Sequence, residues 1–397
     1  MKGSVGVPGL PPSRLTGRGA GRAIMTVFDG IHMTTVDSNI VESRACGLKS
    51  GARLCDTAPR AVRMFRHFDG MPMALSTSSQ HLPRANTMTA TIQSFDEAQT
   101  ARLVPYDRLV DTLAATMLDY AAGRIASPER MVVPIEGGVM LSMPASAADI
   151  AMHKLVNVCA GNGARGLPTI HGQVTAYDAT TGVPQFMLDG PTVTGRRTAS
   201  VSMLAIRALH VVAPREVLVI GTGKQAAYHV EALAAVYPDA RIRVQGSRPE
   251  RARDFCAAHA SASGNLAVLE DTTIPDSVDV VIAATTSKTP VYTMPARAGR
   301  LVIGVGAFTA DAAEIAAATV HASELYVDDP AGARHEAGDF ILAGVDWNAV
   351  HALAEALAAP KKAERPVVFK SVGCAAWDLA TCRVARAVLS EESSQVR

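Results

Sequence analysis

The chain has no surplus of charge of either sign. Its 38 Lys and Arg against 37 Asp and Glu leave a formal net charge of +1, so no global attraction draws it to nucleic acid or to a membrane surface. Aromatic residues are scarce at 5%, and no basic run with interleaved aromatics marks a nucleic-acid face. Uninterrupted apolar runs of about 18 residues, the length a membrane-spanning helix requires, are also absent. The cysteines at 46, 55, 159, 256, 374 and 382 form no C-x-x-C pair. Neither a zinc ribbon nor a disulfide framework is therefore expected, and no metal site. Single buried thiols in a reducing cytoplasm are the simplest reading.

What remains is a 397-residue chain that is 48% apolar, enough for two domains with a large core. Residues 1–87 stand apart, holding 11 Lys/Arg against 5 Asp/Glu and 6 of the 15 methionines. No helical or strand period persists there. A disordered extension is expected, or a start placed upstream of a natural one at Met88; an Arg-rich transit peptide lacks its amphipathic helix.

Order is expected from about Ala98. Leu109, Leu113, Met117 and Tyr120 recur at helical spacing up to Gly123. Residues 131–135 and 139–143, with Gly137-Gly138 between them, read as a hairpin. Strands follow at 150–158, 170–177 and 184–188, then a helix over 194–209. From about residue 215 the style changes. Strands at 217–220, 240–245, 267–269, 279–284, 301–305 and 324–327 alternate with Ala-rich helices. That is an α/β pattern: a Rossmann-type, doubly wound dinucleotide-binding domain over 206–345. The strand at 367–369 and the helix after it are expected to return to a β-rich substrate-binding and dimerisation domain, discontinuous over 98–205 and 365–397.

The sharpest motif is Val217-Leu-Val-Ile-Gly221-Thr-Gly223-Lys224-Gln225-Ala226. An apolar strand runs into Gly-x-Gly-x-x-Ala and then a helix. The glycines permit a tight turn and close approach of a pyrophosphate, and the helix N–H groups face its charge. The next strand ends in Gly246-Ser247-Arg248, where an NAD enzyme usually places an acid. A hydroxyl and a guanidinium suit a 2′-phosphate, which favours NADPH, with NADH still open. The competing reading has Ser247 capping the helix that starts at Pro249.

A second set of residues lies in the β-rich half. Lys154 sits within an apolar alternating strand, and a lysine on an inward face is a candidate anion ligand or proton donor; the alternative is a snorkelling side chain. His153 faces the other way and reads as structural. Arg130 precedes the hairpin beside Glu129. Of Arg196 and Arg197, one is a candidate for cofactor phosphate or substrate carboxylate, and the other can be surface.

The motifs Lys154-Leu-Val-Asn157, Gly161-Asn162, Ala164-Arg165-Gly-Leu-Pro-Thr169, Arg197-Thr198-Ala199 and Gly221-Thr-Gly-Lys-Gln225, in this order and spacing, resemble the ornithine cyclodeaminase/mu-crystallin family over about residues 98–390. Met143-Pro-Ala145, His153-Lys-Leu155, 166–172, 189–199 and 368–378 look most like its Δ1-pyrroline-2-carboxylate reductases. The resemblance implies that Arg130 and Lys154 hold a substrate carboxylate, and that Thr169 and Arg197 contact cofactor or substrate. Lys224 and Gln225 belong to the cofactor turn and Thr285 to the adenine-ribose side. Val305, Gly306, Ser371 and Val372 border the nicotinamide, Val372 also the substrate. It further implies a homodimer, a cytoplasmic enzyme and a small cyclic imino acid as substrate. The family's cyclodeaminases carry a general-base Asp where this chain has Phe308, which argues for imine reduction instead. The family often has Asp before the Ser of its late cleft motif, where this chain has Lys370. The implied reaction is NAD(P)H-dependent reduction of Δ1-pyrroline-2-carboxylate, or Δ1-piperideine-2-carboxylate, with Lys154 or a bound water as acid. Two alternatives stay open: an open-chain, alanine-type dehydrogenase, and a non-catalytic NADP-dependent binding protein.

Overall fold

The computed structural model describes residues 26–29, 32–35 and 92–395, apart from 211, 271–272 and 360–364. It divides into two compact units, Met1–Asn86 and Thr87–Arg397. In the first, strands β1 (Thr26–Asp29) and β2 (His32–Thr35) form an antiparallel ladder. The remaining expectation for residues 1–87 lies outside the described residues.

The second unit opens with the short β3 (Gln93–Ser94) and two helices, α1 (Glu97–Leu103) and α2 (Tyr106–Ala121). A capping box starts α1: Asp96 accepts the Gln99 N–H at 2.8 Å while Gln99 accepts the Asp96 N–H at 3.0 Å. Helix α2 buries Leu109, Leu113 and Met117, the apolar stripe legible in the sequence. Strands β4 (Met131–Ile135), β5 (Gly138–Ser146), β6 (Ala151–Val158), β7 (Ile170–Tyr177) and β8 (Pro184–Asp189) then build a six-stranded sheet in the order β3-β8-β7-β6-β5-β4. All its pairings are antiparallel except β3 with β8. The expected Gly137-Gly138 turn is displaced by one residue. Ile135 pairs with Gly138, so Glu136-Gly137 form the loop. Gly138 belongs to the strand because a Cβ there would lie 2.0 Å from the Val158 carbonyl oxygen.

Helix α3 (Gly190–Leu209) leads out of this sheet and is buried along most of its length. It begins four residues before the expected 194 because Asp189 caps it, accepting the Thr192 N–H at 2.8 Å, with Pro191 in its first turn. Beyond it, β9 (Glu216–Ile220), α4 (Lys224–Val236), β10 (Arg241–Gln245), α5 (Pro249–Ala258), β11 (Leu266–Val268), β12 (Val280–Ala283) and β13 (Leu301–Gly304) alternate. There follow α6 (Ala317–His321), β14 (Glu324–Val327), α7 (Pro330–Glu336), α8 (Gly338–Ala343), β15 (Val350–Ala352), α9 (Leu353–Ala358), β16 (Val367–Lys370) and α10 (Ala375–Gln395). The eight strands are parallel, in the order β11-β10-β9-β12-β13-β16-β14-β15. The order reverses between β9 and β12, the switch point where doubly wound sheets open a crevice. Alternate residues feed different cores: Val217, Val219, Val280 and Ile282 face α3 and the antiparallel sheet, while Leu218, Ile220 and Val281 face the other side.

One expectation is corrected. The strand at 367–370 does not return to the antiparallel sheet; it is β16, inserted between β13 and β14. Val367, Val368, Phe369 and Lys370 are all buried, and a continuous apolar run suits a parallel strand covered on both faces. Only α10 goes back, packing on α2, α3, β5 and β6.

Removing the α3 cap tests how this connector is set. Asp189→Ala, which also loses the 2.6 Å bond from the Thr192 hydroxyl, is expected to lower the unfolding free energy by about 1–2 kcal/mol, read from urea denaturation. An unchanged midpoint would show that burial alone fixes the helix start.

Candidate active site

The ends of five neighbouring parallel strands converge on the crevice. After β9, Gly221 has φ +129°, and a Cβ on it would lie 2.4 Å from the Ala284 carbonyl oxygen, so only glycine lets the turn pass the end of β12. Gly223 is the N-cap of α4 and no side chain caps that helix. A Cβ at Gly223 would meet nothing within 4 Å. The first N–H groups of α4 thus open onto free space beside Lys224 and Gln225, whose buried Oε1 has no hydrogen-bond partner among the described residues. This cradle fits a pyrophosphate. Gly246, Ser247 and Arg248 follow β10. Arg248, not Ser247, is the N-cap of α5, and it makes no side-chain capping bond. Both side chains are exposed, as a ribose-phosphate contact needs. Thr285 follows β12, Val305 and Gly306 follow β13, and Ser371 and Val372 follow β16. Thr169 is exposed ahead of β7, its carbonyl accepting the Cys159 N–H at 2.8 Å. No hydrogen bond or ion pair among the described residues joins its side chain to the crevice.

Three cations gather around the turn after β16. Lys154 of β6 is only 2% exposed, and its Nζ lies 2.6 Å from Asp378 Oδ2 on α10. Arg197 of α3 meets the other oxygen of Asp378 through Nε at 3.3 Å. Its guanidinium also lies against Gly373, where a Cβ would come within 2.1 Å of Nη1. Arg130, just before β4, donates to the Gly373 carbonyl at 2.8 Å and pairs with Glu336 at 2.7 Å. Three positive side chains thus share the carboxylates of Asp378 and Glu336 around one turn. Burial lowers the Lys154 pKa to about 8; Asp378 opposes the shift, while Arg197 and Arg130 add to it. The snorkelling reading is thereby excluded. Arg196 is not at the surface either; it lies over the Tyr106 ring at 3.7 Å and donates to the Val104 carbonyl at 2.8 Å. His153 bonds Ser142 at 2.8 Å on the opposite strand face, the structural role expected of it.

The turn itself is held from behind. Buried Asp328, just after β14, accepts the N–H groups of Val372 and Gly373 at 2.9 Å, the Ser371 hydroxyl at 3.0 Å and the Trp377 indole N–H at 3.2 Å. Asp328, Glu336, Gly373 and Asp378 were missed in the sequence. Asp378 had a signal, a lone acid inside the apolar run Ala375-Ala-Trp-Asp-Leu-Ala380; so had Asp328-Asp329, an acidic pair at a strand end. Lys370 pairs with Asp339 at 2.9 Å, both side chains fully buried. Phe308 is 53% exposed beyond β13, and its side chain has no acid–base capacity.

Comparison with known proteins matches this arrangement. Residues 89–393 match the ornithine cyclodeaminase/mu-crystallin family. Delta(1)-pyrroline-2-carboxylate reductase 2 of Burkholderia ambifaria is 63% identical over 304 residues, 76% of this chain and 98% of the relative. The Delta(1)-pyrroline-2-carboxylate/Delta(1)-piperideine-2-carboxylate reductase of Azospirillum brasilense is 63% identical over 305 residues, 77% of this chain and 98% of the relative. Among solved structures, the Thermococcus litoralis Delta(1)-pyrroline-2-carboxylate reductase in complex with NADH and L-proline superposes with a TM-score of 0.69 at 25% identity, covering 76% of this chain and 98% of its own. With a glycine cradle at the switch point and three cations around the turn that follows β16, the chain belongs to the ornithine cyclodeaminase/mu-crystallin family.

Proposed function

We propose that the protein is an NAD(P)H-dependent ketimine reductase that converts Δ1-pyrroline-2-carboxylate to L-proline and accepts Δ1-piperideine-2-carboxylate as well. The observation that carries this reading is the clamp of Lys154, Arg197 and Arg130 around Val372-Gly373, beside the strand ends that form the dinucleotide cradle. It takes one carboxylate, and the relatives at 63% identity are named for a substrate of this kind.

A bound reduced nicotinamide supplies the hydride. The chain's own residues hold the substrate carboxylate by charge-assisted bonds. The carboxylate is attached to C2, so fixing it also orients the carbon that is reduced. As hydride adds to C2, the C=N π pair passes to nitrogen, which stays in the ring and takes up a proton to become the secondary amine of the product. An ammonium with pKa about 8 at Lys154 is matched to that proton transfer near neutral pH. Phe308 supplies an apolar wall beyond Gly306 that limits water. We assign Thr285, Val305, Gly306 and Ser371 to the cofactor, and Val372 to both ligands. Thr169 is assigned to the cofactor from the family resemblance alone. The division of the second unit follows: residues 98–205 with α10 carry the substrate side, and 206–345 with β16 the cofactor side.

NADPH is the preferred cofactor in this reading, because Gly246 stands where an acid would hold a ribose hydroxyl and Ser247 and Arg248 are exposed beside it. The pairing partner is a second copy of the chain, through the antiparallel sheet. Its edge strand β4 exposes Met131 by 63% and Val132 by 54%. We place the enzyme in the cytoplasm, whose reducing conditions suit the free thiols of Cys159, Cys256, Cys374 and Cys382.

Purified protein with freshly prepared Δ1-pyrroline-2-carboxylate is expected to oxidise NADPH with higher kcat/KM than NADH. Arg248→Ala should cut the NADPH value about tenfold and leave the NADH value unchanged; no turnover with either cofactor would overturn the function. Light scattering of the purified chain should give twice the chain mass, and a monomer would remove the pairing. Asp378→Asn removes the carboxylate that favours the Lys154 ammonium, so the Lys154 pKa should fall below about 8. The descending limb of kcat/KM against pH should then move to lower pH by about one unit. An unmoved limb would exclude Lys154 as the group it reports.

A further inference from the structure

Three backbone N–H groups at the crevice have one acceptor. The parallel ladder carries the chain as far as Ala284, whose N–H bonds Ile220, and Val305, whose N–H bonds Ala283. Past that edge the loops after β12 and β13 leave the ladder. There the fully buried carboxylate of Glu314 takes over: it accepts Thr285 N–H at 2.6 Å on one oxygen, and Gly306 N–H at 2.5 Å and Ala307 N–H at 3.1 Å on the other. The two loops touch. A Cβ on Gly306 would lie 1.9 Å from the Thr285 carbonyl oxygen and 2.7 Å from Glu314 Oε1. No wider residue fits while both loops share this carboxylate.

Glu314 is itself fixed on both sides. Its carbonyl accepts Val291 N–H at 2.8 Å and Tyr292 N–H at 2.9 Å. Its own N–H, with that of Ile315, bonds Asp339 Oδ1 at 2.6 and 2.8 Å. The other Asp339 oxygen pairs with Lys370. Lys370 directly precedes the Ser371-Val372-Gly373 turn, so one buried chain of groups links the cofactor-side loops to the turn that the clamp surrounds. A buried carboxylate is tolerated when hydrogen bonds and an opposite charge favour it. Three N–H donors and the Lys370 ammonium work in that direction, against the burial that raises the Glu314 pKa. Lys370 thereby gains a role although it departs from the family pattern: it is the cation that lets two carboxylates be buried under the crevice.

We propose that Glu314, backed by Asp339 and Lys370, is a positioning residue that sets the two strand-end loops to receive the dinucleotide, touching neither cofactor nor imine. The inference rests on the reductase reading for what occupies the crevice. Glu314→Gln replaces one carboxylate oxygen by an amide NH2, which cannot accept, so at least one loop N–H loses its partner. The expected result is an NADPH dissociation constant, from the quenching of its fluorescence on titration, raised about tenfold or more. The KM for Δ1-pyrroline-2-carboxylate and kcat at saturating NADPH should stay within about threefold of the wild type. Lys370→Met should shift the dissociation constant in the same direction.

A folded Glu314→Gln protein with lowered thermal stability and unchanged NADPH affinity would overturn the proposal, since a purely structural residue behaves that way. Hydrogen exchange on the wild-type protein provides a test independent of variant folding. The amides of Thr285, Gly306 and Ala307 should be protected before any NADPH is added, and exchange at loop rates would overturn the assignment. Failure of the wild-type protein to bind NADPH or NADH would instead strike the reductase reading, a separate outcome.

Discussion

The carboxylate of Asp378 is the interaction on which the two sheets' joint work depends. It has no exposed surface, and it meets a lysine from the antiparallel sheet and an arginine from the connecting helix. Breaking a buried pair by removing one partner costs about 3–5 kcal/mol, because the survivor is left charged and desolvated. Here two cations depend on one acid, so the arrangement is stiff. The same arrangement sets three cationic side chains, Lys154, Arg197 and Arg130, around a single turn. Those cations are the ones proposed to receive the substrate carboxylate, so a structural ion pair and the proposed anion site coincide.

A division of labour runs through the rest of the site. Glycines make room: Gly221 for the turn to pass β12, Gly306 for two loops to meet, Gly373 for the Arg197 guanidinium to lie flat against the chain. Buried acids then lock what the glycines permit. Asp328 holds the turn after β16, Glu314 the loops after β12 and β13, and Asp339 the backbone of Glu314. Each acid sits at the carboxyl ends of the parallel strands, where N–H groups run out of ladder partners. The crevice is shaped by backbone held from beneath, which leaves its upper surface free for ligand.

The legible parts of this molecule were those whose chemistry is local in the chain. The β9–α4 turn could be read because strand, glycines and helix are consecutive. Lys154 was visible as a cation inside an apolar alternation, and the α2 stripe by its spacing. The acids were harder. Asp378 acts through groups far away in sequence and Glu314 through loop backbone that any residue type supplies, and nothing in Ala375-Ala-Trp-Asp or Ala313-Glu-Ile names the partner. Strand β16 was placed in the wrong sheet because three apolar residues specify a buried strand but not its neighbours. The Gly137-Gly138 turn slipped by one because the deciding contact, with the Val158 carbonyl, comes from the next strand.

The chain passes between its two sheets twice, outward through α3 and back through the turn between β16 and α10. Arg197 on the first passage lies against Gly373 on the second, so the crossings meet at one point. The two halves are therefore tied to each other at the clamp itself. The knot that receives the proposed substrate is thus also the seam that fastens one half of the unit to the other.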